Sequence, residues 1–375
     1  MIYFDHNAGA PLLPEVADFL ARTMPLTGNP SSIHQAGRAA RRVLDDARER
    51  VAQVLGCTPR EIVFTGSGSE AAAIALAGTW RARRERARTK IVTTAIEHPA
   101  ILGTVDQLER EGAEIVRVRP GVDGAIDAAA VLAAIDERTL VCSVQWVNNE
   151  TGVIQPVAEL ARACAARGVL FHTDAVQAFG RVPASLREVP ADLLSLSAHK
   201  LGGPAGVGVL YNRRGVDVAG LTPGHQENGR RGGTQSVALA GALARALEHA
   251  VRHQEATRTR LAALRELFET RVLAGWPGAE RNGSAPRVCN TSNLWFPGAD
   301  GEALLIALDL AGICVSTGAA CASGSTKPSH VLLAMGRSSE QASGSLRFSL
   351  GLPCSEEDVE TVAATLLRLR SALQP

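Results

Sequence analysis

The run Ser195-Leu196-Ser197-Ala198-His199-Lys200-Leu201-Gly202-Gly203 sets a lysine directly after an apolar, strand-like stretch and just before two glycines. Only three lysines occur in the chain, Lys90, Lys200 and Lys327, and arginine carries nearly all the remaining positive charge. Arginine keeps its proton at ordinary pH, so chemistry that needs a free amine has few possible owners. Lys90 closes the charged stretch that begins at Arg81 and reads as a solvated helix end. Lys327 falls in the Gly/Ser-rich stretch Ser323 to Ser329 and reads as loop. Lys200 alone has the setting of a Schiff-base lysine held at the end of a strand.

Outward from this run, short β-rich stretches alternate with longer Ala/Leu/Arg-rich stretches of helical period. The strand-like pieces are Glu61 to Phe64, Ile91 to Thr94, Glu114 to Val118, Leu140 to Val144, Val169 to His172, Leu193 to Leu196 and Val207 to Tyr211. Such alternation predicts an α/β fold with a mostly parallel sheet, its site at the strand ends. After Gly233 an Ala/Leu/Arg-rich segment runs to about Ala274 and reads as one extended helix linking two lobes. Beyond it, Val288 to Phe296 and Ser345 to Leu350 read as strands, Asp300 to Ala311 and Glu356 to Ala372 as helices. They predict a smaller α+β lobe.

At 375 residues the chain can bury a large core and form more than one compact unit. An apolar fraction of 46% and a net charge of +1 argue against disorder and against a nucleic-acid surface built on net charge. The opening Met1-Ile2-Tyr3-Phe4-Asp5-His6 has no basic region followed by an apolar stretch, and no later apolar run approaches membrane-spanning length. A cytoplasmic, membrane-free protein is expected. The seven cysteines form no CxxC pair and no ligand-like spacing with histidine, so neither a metal site nor a disulfide framework is expected.

Two further stretches bear on chemistry. Ile62-Val63-Phe64-Thr65-Gly66-Ser67-Gly68-Ser69-Glu70 reads as strand, small-residue turn and helix start. It is either a phosphate cradle of free backbone N–H groups or an ordinary tight turn. Its match to the dinucleotide pattern lacks a ribose-binding acid downstream. Phe171-His172-Thr173-Asp174-Ala175-Val176-Gln177 puts Asp174 just past a strand, as a helix N-cap or as the partner of a protonated pyridine nitrogen. With Lys200 and a phosphate cradle, the second reading is what pyridoxal 5'-phosphate requires.

Several motifs occur in a telling order. They are Gly28-Asn29-Pro30-Ser31-Ser32-Ile33-His34, Glu97-His98-Pro99-Ala100, Asn148-Asn149-Glu150-Thr151-Gly152, His172-Thr173-Asp174-Ala175-Val176-Gln177, His199-Lys200, Gly229-Arg230-Arg231-Gly232-Gly233-Thr234 and Ser316-Thr317-Gly318-Ala319-Ala320-Cys321-Ala322-Ser323-Gly324. Through them the chain resembles, nearly end to end, the cysteine desulfurases of the NifS/IscS type, in the class V aminotransferase group of fold type I pyridoxal-phosphate enzymes. The resemblance implies a large cofactor-binding α/β domain over residues 15–255, with a mostly parallel seven-stranded sheet between helices. A small α+β domain would comprise residues 1–14 and 256–375 and carry a mobile loop at about 317–329.

It also implies roles. Lys200 would hold the cofactor covalently, Asp174 would pair with the pyridine nitrogen and Gln177 with the ring oxygen. His98 would stack on the ring and move protons. Gly68, Ser69, Ser197 and His199 would hold the phosphate, and Thr234 would reach the phosphate of a neighbouring subunit in a homodimer. Arg347 would grip the substrate carboxylate as a bidentate fork, helped by Asn149 and Asn29. Without the family, His98 also reads as a capping residue, Arg347 as a strand-end surface charge and Asn149 as a turn former.

Cys321 lies among alanines and serines, as a small packed residue or as an exposed thiol on a loop. The resemblance makes it the nucleophile that takes sulfur from L-cysteine, leaving L-alanine and a persulfide. The insert after it resembles the group I enzymes, which pass sulfur to an iron-sulfur scaffold or another acceptor protein. Cys142 and Cys164 lie in apolar runs and read as buried; Cys57, Cys289, Cys314 and Cys354 lack the surrounding motif. Gly9, Ala10, Ala73, Gln235 and Ser236 depart from the family pattern and bear on substrate preference and turnover. Rival readings are a selenocysteine lyase or other lyase of the same fold, and a non-catalytic scaffold for sulfur acceptors.

Overall fold

The computed structural model describes residues 1–83, 87–318 and 328–373. In chain order the strands are β1 (Ile2–Tyr3), β2 (Ile62–Thr65), β3 (Lys90–Thr94), β4 (Glu114–Val118), β5 (Thr139–Ser143) and β6 (Leu170–Asp174). They continue as β7 (Leu193–Ser197), β8 (Gly208–Asn212), β9 (Glu280–Arg281), β10 (Thr291–Trp295), β11 (Ile313–Cys314) and β12 (Ser345–Ser349). Seven form one sheet in the order β2-β8-β7-β6-β5-β3-β4. Only β8 runs against its neighbours; the other adjacent pairs are parallel. Each strand that the alternation predicts is present, its ends displaced by two residues at most.

Burial explains the sheet. β5 and β7 are buried along their whole length, as expected of a parallel sheet covered on both faces. Successive side chains go to opposite layers. Phe64, Val92 and Leu194 join one core with Leu44, Val51 and Leu247. Val63, Ile91 and Leu193 join another with Ile74, Trp80 and Val105. The helix Gln35–Leu55 starts where His34 Nδ1 accepts from the Gly37 N–H (3.2 Å) and stops at Gly56, whose φ of 77° suits a glycine cap.

The segment after Gly233 departs from the sequence reading. Instead of one extended helix there are two, Val237–Arg252 and Gln254–Gly275, parted at His253. The first sets Ala240, Ala244 and Leu247 against the large sheet, while the second sets Leu261 and Phe268 in a separate core with Phe4, Phe296 and Phe348. A break between them lets each apolar face meet its own core. Lys90 departs as well: it opens β3, is 7% exposed and donates to Asp136 at 3.2 Å, so it is no solvated helix end.

The smaller α+β lobe holds the antiparallel sheet β12-β10-β9, and β1 pairs in parallel with β11. The amino-terminal segment is thereby bound to the carboxy-terminal part. No described helix is long and apolar enough to cross a membrane.

One tight contact positions the phosphate-cradle candidate. A Cβ on Gly208 of β8 would lie 2.4 Å from the Ser67 carbonyl carbon and 2.8 Å from the Gly68 nitrogen. These are backbone atoms that cannot swing aside. Gly208→Ala should therefore cost about 1–3 kcal/mol, read as a lower urea midpoint at unchanged m value. An unchanged midpoint would show that the contact does not constrain the turn.

Candidate active site

At the carboxyl ends of the parallel strands a cavity of about 260 Å³ opens. Parallel packing puts those ends on one edge, the usual place for a ligand in α/β folds. Of the residues singled out in the sequence, Gly68, Ser69, His98, Asn149, Asp174, Gln177, Ser197, His199, Lys200 and Arg347 all line it. Asn29 and Thr234 are exposed and do not line it; the Asn29 side chain accepts from the Ser31 N–H at 2.9 Å, a local turn bond. Cys321, like Lys327, lies outside the described residues.

The anion end is built from β2 and the helical stretch that follows it. Ser67 Oγ accepts from the Glu70 N–H (3.0 Å) and caps helix Gly68–Ala73, which continues through Ile74–Gly78 and Thr79–Arg83. The first N–H groups of such a stretch have no helical partner and carry partial positive charge. A Cβ on Gly68 would come within 2.9 Å of Val176 and 3.1 Å of Ser197, so glycine keeps this space open. Glu70 is held away from the cavity: its carboxylate accepts from the Gly66 N–H and pairs with Arg231 at 3.0 Å. The nearest anion at the helix start is thus already neutralised.

Asp174 ends β6. Its Oδ1 accepts from the Val176 N–H at 2.9 Å, and the carboxyl group lines the cavity. Burial pushes its pKa up, opposed by His98, the Val176 N–H and Lys200. A carboxyl raised by desolvation in this way gains from a cationic partner. Lys200 follows β7 on the turn Ala198–Lys200, and its Nζ donates to the carbonyls of Asn7 (2.6 Å) and Ala8 (2.7 Å). Burial, with Lys200 and His98 nearby, lowers His199 to about 4, so its ring is neutral at physiological pH; Ser197 Oγ lies 2.8 Å from its Nδ1.

His98 fulfils its capping reading and also lines the cavity. Its Nδ1 accepts from the Ala100 N–H (3.1 Å) at the start of helix Pro99–Arg110, which leaves the proton of a neutral ring on Nε2. Glu97 beneath it is fully buried and pushed up to about 8 by desolvation, against the pull of Thr94 Oγ1 at 2.6 Å and the Gln145 N–H.

Arg347 is no surface charge. It sits mid-strand in β12 and is 2% exposed. Nη2 donates to Asp5 Oδ1 at 2.7 Å and Nη1 to the Asn149 carbonyl at 3.1 Å, while Nε is buried without a hydrogen-bond partner among the described residues. One donor of the fork is therefore unspent.

Sequence reasoning missed the amino-terminal contribution. Besides Asp5, Asn7 donates from Nδ2 to Asn149 O (3.1 Å) and Thr291 Oγ1 (2.9 Å), and its own carbonyl accepts from Gln177 Nε2 (3.0 Å) and Lys200. The available signal was the polar run Asp5-His6-Asn7 directly after apolar Tyr3-Phe4. Glu150 was also missed as an anchor: it accepts from Ser329 Oγ at 2.5 Å, and a Cβ on Gly318 would come within 2.7 Å of it.

Residues 2–362 match the aminotransferase class-V family. A cysteine desulfurase of Enterobacter agglomerans is 42% identical over 96% of this chain and 90% of its own length. The chain belongs to the class-V aminotransferases, among the NifS/IscS-type cysteine desulfurases. An IscS-like cysteine desulfurase of Mycobacterium tuberculosis is 41% identical over 98% of this chain and 95% of that protein. Among solved structures, a NifS-like protein superposes with a TM-score of 0.92 at 34% identity, covering 99% of both chains.

The Asp5–Arg347 pair yields a prediction. Asp5→Asn would leave an almost fully enclosed guanidinium facing a neutral amide, at a cost of about 3 kcal/mol. Urea unfolding reads this directly. A change below about 0.5 kcal/mol, as at an ordinary surface position, would show that Asp5 does not hold Arg347.

Proposed function

We propose that this protein is a pyridoxal 5'-phosphate-dependent cysteine desulfurase that converts L-cysteine to L-alanine and leaves a persulfide on Cys321. The observation that carries the reading is the convergence of Lys200, Asp174, the Gly68–Ser69 helix start and the half-spent Arg347 fork on one cavity. The relatives in sequence favour a desulfurase over a selenocysteine lyase.

The residues present fit the cofactor: an amine, a buried carboxyl in need of a cation, and an anion-binding helix start that only glycine leaves open. Held by Lys200, Asp174, Gln177, Ser197 and His199, pyridoxal 5'-phosphate would supply an electron-withdrawing ring beside the substrate's α-carbon. Arg347, which lines the cavity, and the Asn149 side chain fix the substrate carboxylate. Lys200 Nζ, freed when the substrate's own amine takes its place, takes the α-proton and afterwards returns it to the α-carbon. His98, with its Nε2 proton, stands over the reacting atoms as proton donor.

The Cys321 thiolate attacks the substrate sulfur. An S–S bond forms as the Cβ–S bond breaks, and the electron pair left at Cβ is captured with a proton to give the methyl group of alanine. The persulfide is then passed to an iron-sulfur scaffold or other acceptor protein. We place exposed Thr234 at the phosphate of the second subunit of a homodimer, and Asn29 beside the substrate only in that assembly. Six free thiols among the described cysteines suit the cytoplasm.

Alanine and persulfide formation from L-cysteine with a reductant, in the purified protein and in Cys321→Ala, tests the reading. Both proteins should carry the cofactor's absorbance, and only the first should form alanine. Equal alanine from both would remove Cys321 from the chemistry.

A further inference from the structure

Lys200 also borders a second cavity, of about 430 Å³. Its walls are mainly apolar, with Pro11, Leu13, Phe179, Leu201, Leu261 and Leu350 among them. Its polar members are Lys200, Arg181, Thr257, Asn290 and three histidines, and no acidic side chain lines it.

Arg181 is the unusual member. It is 9% exposed, and its contacts are Nη1 donating to the Gln177 carbonyl (3.2 Å) and to Gln177 Oε1. No carboxylate among the described residues pairs with it, unlike Arg347 with Asp5 or Arg48 with Glu227 at 2.6 Å. An enclosed guanidinium without a counter-ion is costly, and burial lowers Arg181 to about 10. Its surroundings do not compensate. The Cys289 thiol is raised by burial and stays protonated, while His6, lowered to about 4 by burial and by Arg181, stays neutral.

Several of the other polar members are already committed. Lys200 Nζ donates to Asn7 and Ala8, and Asn290 Nδ2 donates to Asn7 Oδ1 (3.2 Å) and the Leu350 carbonyl (3.1 Å). His249 bonds Glu15 at 2.9 Å and packs on His253 at 4.5 Å between ring centroids. The unmatched positive charge inside an apolar chamber therefore belongs to Arg181.

We propose that this chamber binds a small amphipathic carboxylate, its anionic head on Arg181 and its apolar body against Phe179, Leu261 and Leu350. The volume falls within the range of small-molecule pockets, which are largely apolar with a few fixed polar groups. Nη2 and Nε of Arg181 remain to receive the head group, and such charge-assisted bonds orient the ligand. The site shares only Lys200 with the catalytic cavity, so it is separate from the substrate's carboxylate grip at Arg347.

Calorimetric titration of the holoenzyme with octanoate, and with octanol as the uncharged match, tests this. Octanoate should bind at one site per chain and octanol markedly less. Arg181→Gln should weaken octanoate by about tenfold or more, whereas Asn149→Ala, in the catalytic cavity alone, should leave it unchanged. Leu352→Trp, which adds bulk at another lining position, should weaken binding even if Arg181→Gln proves unstable. Absence of octanoate binding in the wild type overturns the proposal, as would a chamber closed by a partner subunit. Binding lost in Asn149→Ala but kept in Arg181→Gln overturns it too, since the ligand would then sit in the catalytic cavity.

Discussion

The ion pair between Arg347 and Asp5 joins residues 342 apart in sequence, and the site is organised around it. A guanidinium that is 2% exposed is costly to bury without a partner, and Asp5 provides one. The residue after next, Asn7, then lies where its carbonyl meets Gln177 and Lys200 and its amide meets Asn149 and Thr291. A buried ion pair is weak evidence for net stability, since desolvation offsets most of the attraction. Its consequence here is positional: the amino-terminal segment becomes the floor of the cavity, and Arg347 is held with Nε unspent.

The large sheet supplies the complementary half. Parallel strands deliver Asp174 and, through a short turn, Lys200 to the same edge, while β2 delivers the helix start at Gly68. Burial raises Asp174 and Glu97 and lowers His199, so at each of them the environment favours the uncharged form. Glu70 is neutralised by Arg231, which leaves the helix start attractive to a phosphate.

Much of this was legible in the sequence because its periodicities are strong. Alternating apolar strands and Ala-rich helices give the seven-stranded sheet to within two residues at each end. The strand-end motifs name most of the cavity lining, because a residue just past a buried strand has little choice of direction. Three features were not legible. The break at His253 follows from two cores that only the folded chain defines. The burial of Lys90 depends on Asp136, a partner without local spacing to betray it. Asp5 and Arg181 owe their significance to what surrounds them in space: one completes a buried cation, the other lacks such a completion.

We propose Lys200, placed by β7 beside Asp174, as the amine that carries the cofactor. Borohydride reduction of the holoenzyme followed by proteolysis and mass spectrometry reads the attachment point. A single pyridoxyl-modified peptide bearing the label on Lys200 is expected. A label on Lys90 or Lys327 instead, or no covalent label in a protein that retains the cofactor, would contradict it.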